Sequence, residues 1–258
     1  MGLVVKSLLK WCWLAPLGYV ILLVGTMIYP FDPVLDKTGK FERKFHLSAD
    51  FPFIGSYLLM KPKRIEEGGQ YPLVVTLHDS YKRSLAAYHL ADKKLQDKFP
   101  SYVMLPSSAF NQPWGRFFEE KPGPSFSLKL AMEAVADIQQ DPNIDKNRIY
   151  VTGASMGAIG TFAAMAYYPD IFAAGMPVNG RWTMADAKRF SGSTLSVFQG
   201  KDNPVFQAHK TRELIKRIRE EGGAANYFEL PDLGHTSEPV YRETGVWQWL
   251  FDQKRSSD

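Results

Sequence analysis

A single cysteine, Cys12, stands in 258 residues, so no disulfide can close within the chain. No Asn-x-Ser/Thr triplet occurs, which removes one signal of eukaryotic secretion without excluding it. Blocks of like charge are missing as well. The 31 Lys and Arg are scattered among 27 Asp and Glu, and the net charge of +4 gives no argument for a nucleic-acid partner. There is no internal repeat, no low-complexity tract and no sign of a second globular unit. What is present, 45% hydrophobic and 22% charged residues, fits one globular domain with an appendage.

Charge is absent altogether from Trp11 to Phe31, a run long enough to span a bilayer as a helix. Trp11, Trp13 and Tyr29 lie near its ends, where amphipathic rings favour the headgroup region. Lys6, Lys10 and the amino terminus precede the run, whereas Asp32, Asp36, Lys37 and Lys40 nearly cancel after it. The positive-inside rule then leaves the short N-terminus in the cytoplasm and the body on the extracytoplasmic side, periplasmic or extracellular. A cleaved signal sequence is the competing reading and would make the protein secreted. No convincing small-x-small cleavage site follows the run, and Pro30 and Pro33 suit a helix stop and a linker. The expected organisation is an anchor over 1–31 with membrane contact through 11–31, a linker over 32–40 and a catalytic domain over 41–258.

Within the body, Phe41 to Leu47 and Tyr57 to Met60 read as short strands about a Pro/Gly turn. Tyr71 to His78 is nearly all apolar and β-branched, the composition of a strand buried on both faces. Tyr102 to Leu105, Arg148 to Thr152, Phe172 to Val178, Leu195 to Phe198 and Tyr227 to Leu230 repeat that character. Helical spacing of apolar residues marks Ser127 to Gln140, Met156 to Tyr168, His209 to Glu221 and Thr244 to Lys254. Alternation of this kind predicts an α/β domain with a mostly parallel sheet. Ser107 to Pro124, with Trp114, Phe117 and Phe118, is the longest irregular stretch and a candidate pocket border.

Gly153-x-Ser155-x-Gly157 falls between a strand and a helix, the setting of a nucleophile elbow. A serine hydroxyl needs a base to take its proton and a third group to fix the tautomer of that base. Downstream lie only His209 and His235. His209 opens a basic helix and reads as a surface residue, whereas His235 follows the strand Tyr227 to Leu230 through a glycine-bearing loop. For the acid, Asp202 follows Leu195 to Phe198 at a strand end. Asp232 is its rival, and Glu229 and Glu238 are weaker candidates. The order Ser155, Asp202, His235 is the one such a sheet requires. Backbone N–H groups must also meet the developing oxyanion. Met156 N–H, next to the nucleophile, supplies one donor, and the loop His78-Asp79-Ser80 is placed to supply the second. His78 itself reads as a residue that orders its own loop.

The run Arg148-Ile-Tyr-Val-Thr-Gly-Ala-Ser-Met-Gly157, with Gly160-Thr161 and Tyr168-Pro-Asp-Ile-Phe-Ala-Ala174 beyond it, resembles the α/β-hydrolase esterases grouped with dienelactone hydrolases, feruloyl esterases and prolyl-oligopeptidase-like predicted peptidases. The resemblance extends from about Tyr57 to Arg255 and takes in Asn143 to Arg148 upstream and Trp249 to Arg255 at the end. It implies the α/β-hydrolase fold, with Ser155 as nucleophile, Asp202 as acid, His235 as base and Ser80 N–H as second oxyanion donor. Two positions depart from the usual pattern. Relatives usually carry His-Gly where this chain has His78-Asp79, and Gly200-Lys-Asp202 is one residue shorter than the usual Gly-x-x-Asp.

The expectation is therefore a serine hydrolase cleaving a carboxylic ester through an acyl-enzyme, with no cofactor and no metal. Peptide cleavage on the same fold is the nearest alternative. A catalytically silent scaffold or binding module at the membrane is the rival from another class.

Overall fold

The computed structural model describes residues 35, 38–50, 53–109, 112–117 and 121–255. The expected span over 11–31 lies outside them, and among the described residues no helix is long and apolar enough to cross a membrane.

Among the described residues eight strands form one sheet: β1 (Glu42–Leu47), β2 (Ile54–Met60), β3 (Tyr71–Leu77), β4 (Tyr102–Pro106), β5 (Ile144–Ala154), β6 (Ala174–Val178), β7 (Thr194–Gly200) and β8 (Ala224–Leu230). Their order across the sheet is β1-β2-β4-β3-β5-β6-β7-β8. The pairs β1/β2 and β2/β4 are antiparallel, and every pair from β4 to β8 is parallel. Parallel neighbours need crossover connections, and those here carry the helices that cover both faces.

The helices are α1 (Leu85–Leu90), α2 (Lys93–Lys98), α3 (Phe126–Ile138), α4 (Met156–Tyr167), α5 (Ala208–Glu220), α6 (Glu238–Arg242) and α7 (Thr244–Phe251), with a 3-10 segment at Met184–Phe190. Strand side chains alternate between two buried layers, as a pleat of period two demands. Leu73, Val75 and Leu77 of β3 pack with Val135 of α3, Phe162 of α4 and Leu214 and Ile218 of α5. Val74, one residue out of phase, packs on the other face with Leu90 of α1, Tyr241 of α6 and Trp247 of α7.

Helix α4 is buried along almost its whole length, from Met156 to Ala166. Small residues permit this. A Cβ on Gly157 would lie 2.1 Å from the Leu77 carbonyl oxygen, and one on Gly160 would lie 2.5 Å from Trp114 Cβ. The helix therefore sits close against the C-terminal end of β3 and under the loop that carries Trp114.

Candidate active site

Ser155, the expected nucleophile, is set by backbone geometry. β5 ends at Ala154, and Ser155 turns the chain into α4 with φ 54° and ψ −115°. A non-glycine residue held there is strained, and the neighbours make the strain possible. A Cβ on Gly153 would lie 2.6 Å from the Gly157 backbone, so only two glycines let the strand and helix close so tightly. Ser155 N–H donates to the Val178 carbonyl of β6 at 3.0 Å, which fixes the turn to the neighbouring strand. Met156 N–H lies in the first turn of α4, where no helical carbonyl can accept it, at the positive end of the helix dipole.

Ser155 Oγ and His235 Nε2 are 2.9 Å apart. The two residues lie 80 positions apart in sequence and meet because β5 and β8 both end on this side of the sheet. The His235 loop is pressed against the β7 turn: a Cβ on Gly200 would lie 2.2 Å from the Gly234 carbonyl oxygen. Lys201 N–H donates to the Leu230 carbonyl at 2.9 Å and ties the two turns together. Phe206 packs beside the imidazole with its ring centroid 5.8 Å away.

The third member departs from expectation. His235 Nδ1 meets Asn203 Oδ1 at 3.2 Å, not a carboxylate of Asp202. Lys201 and Asp202 form the exposed tip of the turn after β7. Asn203 N–H donates back to the Gly200 carbonyl at 3.3 Å, and the buried Asn203 side chain is the one that faces inward. Asp232, the rival acid, is exposed at a left-handed position with φ 59°. Neither carboxylate is hydrogen-bonded to the imidazole. The sequence signal for Asn203 was the spacing: counted as Gly-x-x from Gly200, the acid position falls on residue 203, where this chain carries an amide.

Backbone donors decide how that amide is oriented. Val205 N–H and Phe206 N–H both donate to Asn203 Oδ1 at 2.9 Å, so this atom is the oxygen. His235 Nδ1 must then carry the proton it shares with Asn203. Nε2 is left with a lone pair facing the serine hydroxyl, which is the tautomer a general base needs. Burial holds the imidazole below the usual histidine value, against an opposing pull from the Asp79 carboxylate. A lowered value keeps the ring neutral, and so basic, at neutral pH.

The loop after β3 is organised by Asp79 itself. Its Oδ1 accepts from Tyr81 N–H at 2.8 Å and from Arg83 N–H at 3.0 Å. The left-handed residue of the turn is Lys82, with φ 61°, so Asp79 carries none of the strain a glycine would relieve. His78 orders this loop: Nδ1 donates to the Asp79 carbonyl at 2.7 Å, and Nε2 accepts from Ser108 N–H at 3.1 Å. The His78 carbonyl in turn accepts from Trp114 Nε1 at 3.0 Å. His209 lies exposed on the first turn of α5.

A cavity of about 830 Å³ opens beside the serine, with Ser80, Ser155, Met156, Ile159, Phe117 and Phe206 in its walls. Ser80, expected as the second oxyanion donor, thus shares this cavity with Met156 and the nucleophile. Trp114 and Trp182 are core residues behind the wall. Phe118 lies outside the described residues. Among the described residues no group of His, Cys, Asp and Glu could hold a metal ion.

The model of the prolyl oligopeptidase family matches residues 128–212, from α3 through the elbow into α5. Poly(3-hydroxyalkanoate) depolymerase C of Paucimonas lemoignei is 31% identical over an alignment of 118 residues, and the match covers 42% of this chain and 28% of that protein. Among solved structures, a thermostable esterase superposes with a TM-score of 0.78 and 29% identity, over 84% of this chain and 64% of the esterase. A ferulic acid esterase superposes with a TM-score of 0.61 over 82% of this chain and 98% of its own; at 16% identity this is a likeness of fold. The chain thus spans less than two thirds of the depolymerase and of the thermostable esterase. The chain has the α/β-hydrolase fold, and the proteins it resembles are esterases, a depolymerase and the prolyl oligopeptidase family.

Proposed function

We propose that this protein is a serine hydrolase that cleaves carboxylic esters through an acyl-enzyme. The observation that carries the reading is Ser155 Oγ at 2.9 Å from His235 Nε2, on a strained elbow beside an open cavity. Ser155 Oγ bonds to the carbonyl carbon of the ester as Nε2 takes its proton. The carbonyl oxygen becomes an oxyanion, to which Met156 N–H and Ser80 N–H donate. Collapse of this intermediate breaks the bond to the alcohol oxygen, which leaves with the proton from Nε2. A water then gives its proton to Nε2 and attacks the acyl carbon, and the acid departs as Ser155 regains its hydrogen.

The neutral third member favours esters over peptides. A carboxylate on Nδ1 would stabilise the imidazolium that forms in each half-reaction; an amide oxygen does so less, because it carries no net charge. An amide nitrogen must be protonated to leave, whereas an ester oxygen departs more readily. Phe117, Phe126, Met156, Ile159, Val205 and Phe206 give the cavity apolar walls suited to an acyl chain or ring, and Arg116 and Lys129 add two cations to its lining.

A fluorophosphonate probe should label the folded protein and fail to label Ser155→Ala. Absence of labelling in the folded wild type would favour a silent scaffold, and labelling with turnover of peptides alone would favour the peptidase. We read residues 11–31 as a membrane anchor that places this site on the extracytoplasmic side.

A further inference from the structure

Asn179 follows β6, is almost completely buried and holds a left-handed backbone with φ 53°. Among the described residues no hydrogen bond joins its side chain to Ser155 or to the imidazole, yet it binds both the turn that carries Asn203 and the loop that carries His235. Its Oδ1 accepts from Gly200 N–H at 2.8 Å and from Asn203 Nδ2 at 2.8 Å. Its Nδ2 donates to the Thr236 carbonyl, one residue past His235.

Each of these contacts has a forced direction. Gly200 presents a backbone N–H, so the Asn179 atom it meets is the oxygen. Thr236 presents a carbonyl, so the other Asn179 atom is the nitrogen. The Asn203 atom facing Asn179 Oδ1 must then be a donor, which leaves Asn203 Oδ1 for Val205 N–H, Phe206 N–H and His235 Nδ1. A carboxylate at 203 would set an oxygen against Asn179 Oδ1 in the buried contact now made by an amide nitrogen. Flipping Asn179 gives no relief, because its nitrogen would then face the Gly200 donor and its oxygen the Thr236 carbonyl.

We propose that Asn179 is the positioning residue of the base: together with the Val205 and Phe206 N–H groups it orients the Asn203 amide, through it selects the His235 tautomer, and makes position 203 specific for an amide over a carboxylate. This rests on the hydrolase reading for its kinetic consequences but not for its structural ones. The carboxylate that usually completes such a site is therefore disfavoured here by its neighbour, and the pair 179 and 203 act as a unit.

Asn179→Gly tests this while keeping the left-handed backbone that glycine adopts freely. In the full chain, with melting checked for each variant, kcat for a short p-nitrophenyl ester should fall about 10- to 100-fold with KM changed little, the loss expected when a group that orients a functional side chain is removed. Asn203→Asp alone should also lower kcat. Placed in the Asn179→Gly background, the same change should raise kcat and move the acid limb of the rate profile to higher pH, because a carboxylate on Nδ1 favours the imidazolium. That reversal of sign is the signature of coupled neighbours. A gain from Asn203→Asp in the wild-type background, or an unchanged kcat in Asn179→Gly, would overturn the proposal.

The imidazole ¹⁵N spectrum reads the same inference without turnover, with His235 assigned by its loss in His235→Gln. Nδ1–H should predominate in the wild type and give way to a tautomer mixture in Asn179→Gly. An unaltered tautomer in the variant would refute the positioning role. An inactive wild type would remove only the hydrolase reading and leave the spectrum to decide.

Discussion

Ser155 and His235 are joined by a bond that ordinary histidine chemistry would weaken at mildly acidic pH, and two local effects set where that happens. Burial disfavours the imidazolium and the Asp79 carboxylate favours it, with burial the larger. The acid limb of kcat/KM should therefore have its midpoint below the ordinary histidine value of about 6.5. Asp79→Asn keeps an oxygen to accept Tyr81 N–H and Arg83 N–H but removes the charge. Its limb should move further to acid, since the one effect raising the His235 value is gone. A pH-rate profile on an uncharged ester checks both, and a shift of the variant toward higher pH would refute the assigned role of Asp79. The serine and histidine were legible in the sequence because each follows an apolar strand and only two histidines lie downstream. Asn203 was not, because the third member of such a site is ordinarily an ionisable acid and an amide carries no such mark. Only the missing residue between Gly200 and Asp202 pointed to it.

Strands and helices with a clear period were legible to within a few residues: α3, α4 and α5 start and stop close to where spacing and glycine stops place them. The helices α1 and α2 were not read, for each is six residues long and too short to show a period. Their starts are fixed by side-chain caps, Ser84 to Ala87 N–H and Asp92 to Lys94 N–H. β5 runs longer than its apolar stretch, from Ile144, because Tyr71 of β3 pairs with Ile144 before a register shift resumes at Leu73. At this scale the tightest contact is that of α4 against β3. Gly157→Ala would drive a Cβ to 2.1 Å from the Leu77 carbonyl oxygen, which backbone atoms cannot yield cheaply. The loss should be about 3 kcal/mol or more, beyond ordinary overpacking. Denaturant melting measures it, and a stable, fully labelled Gly157→Ala would contradict the packing described.

For the molecule as a whole, the anchor reading predicts that the full-length chain stays with membranes after alkaline extraction and carries its original N-terminus. A chain beginning past residue 31 in a soluble fraction would show that the segment is a signal sequence.

The position of β8 has a further consequence. Among the described residues this strand pairs with β7 alone, and alternate side chains along it are solvent-exposed. His235 thus hangs from the rim of the sheet while Ser155 is rooted at its centre, between β3 and β6. Rims open at lower free energy than centres. On heating, ester turnover should fade before the tryptophan signal of the core reports melting, and cooling from that window should restore it. In practice the proposed hydrolase would carry its own thermal cut-out, with Ser155 still seated on an intact elbow after His235 has swung away.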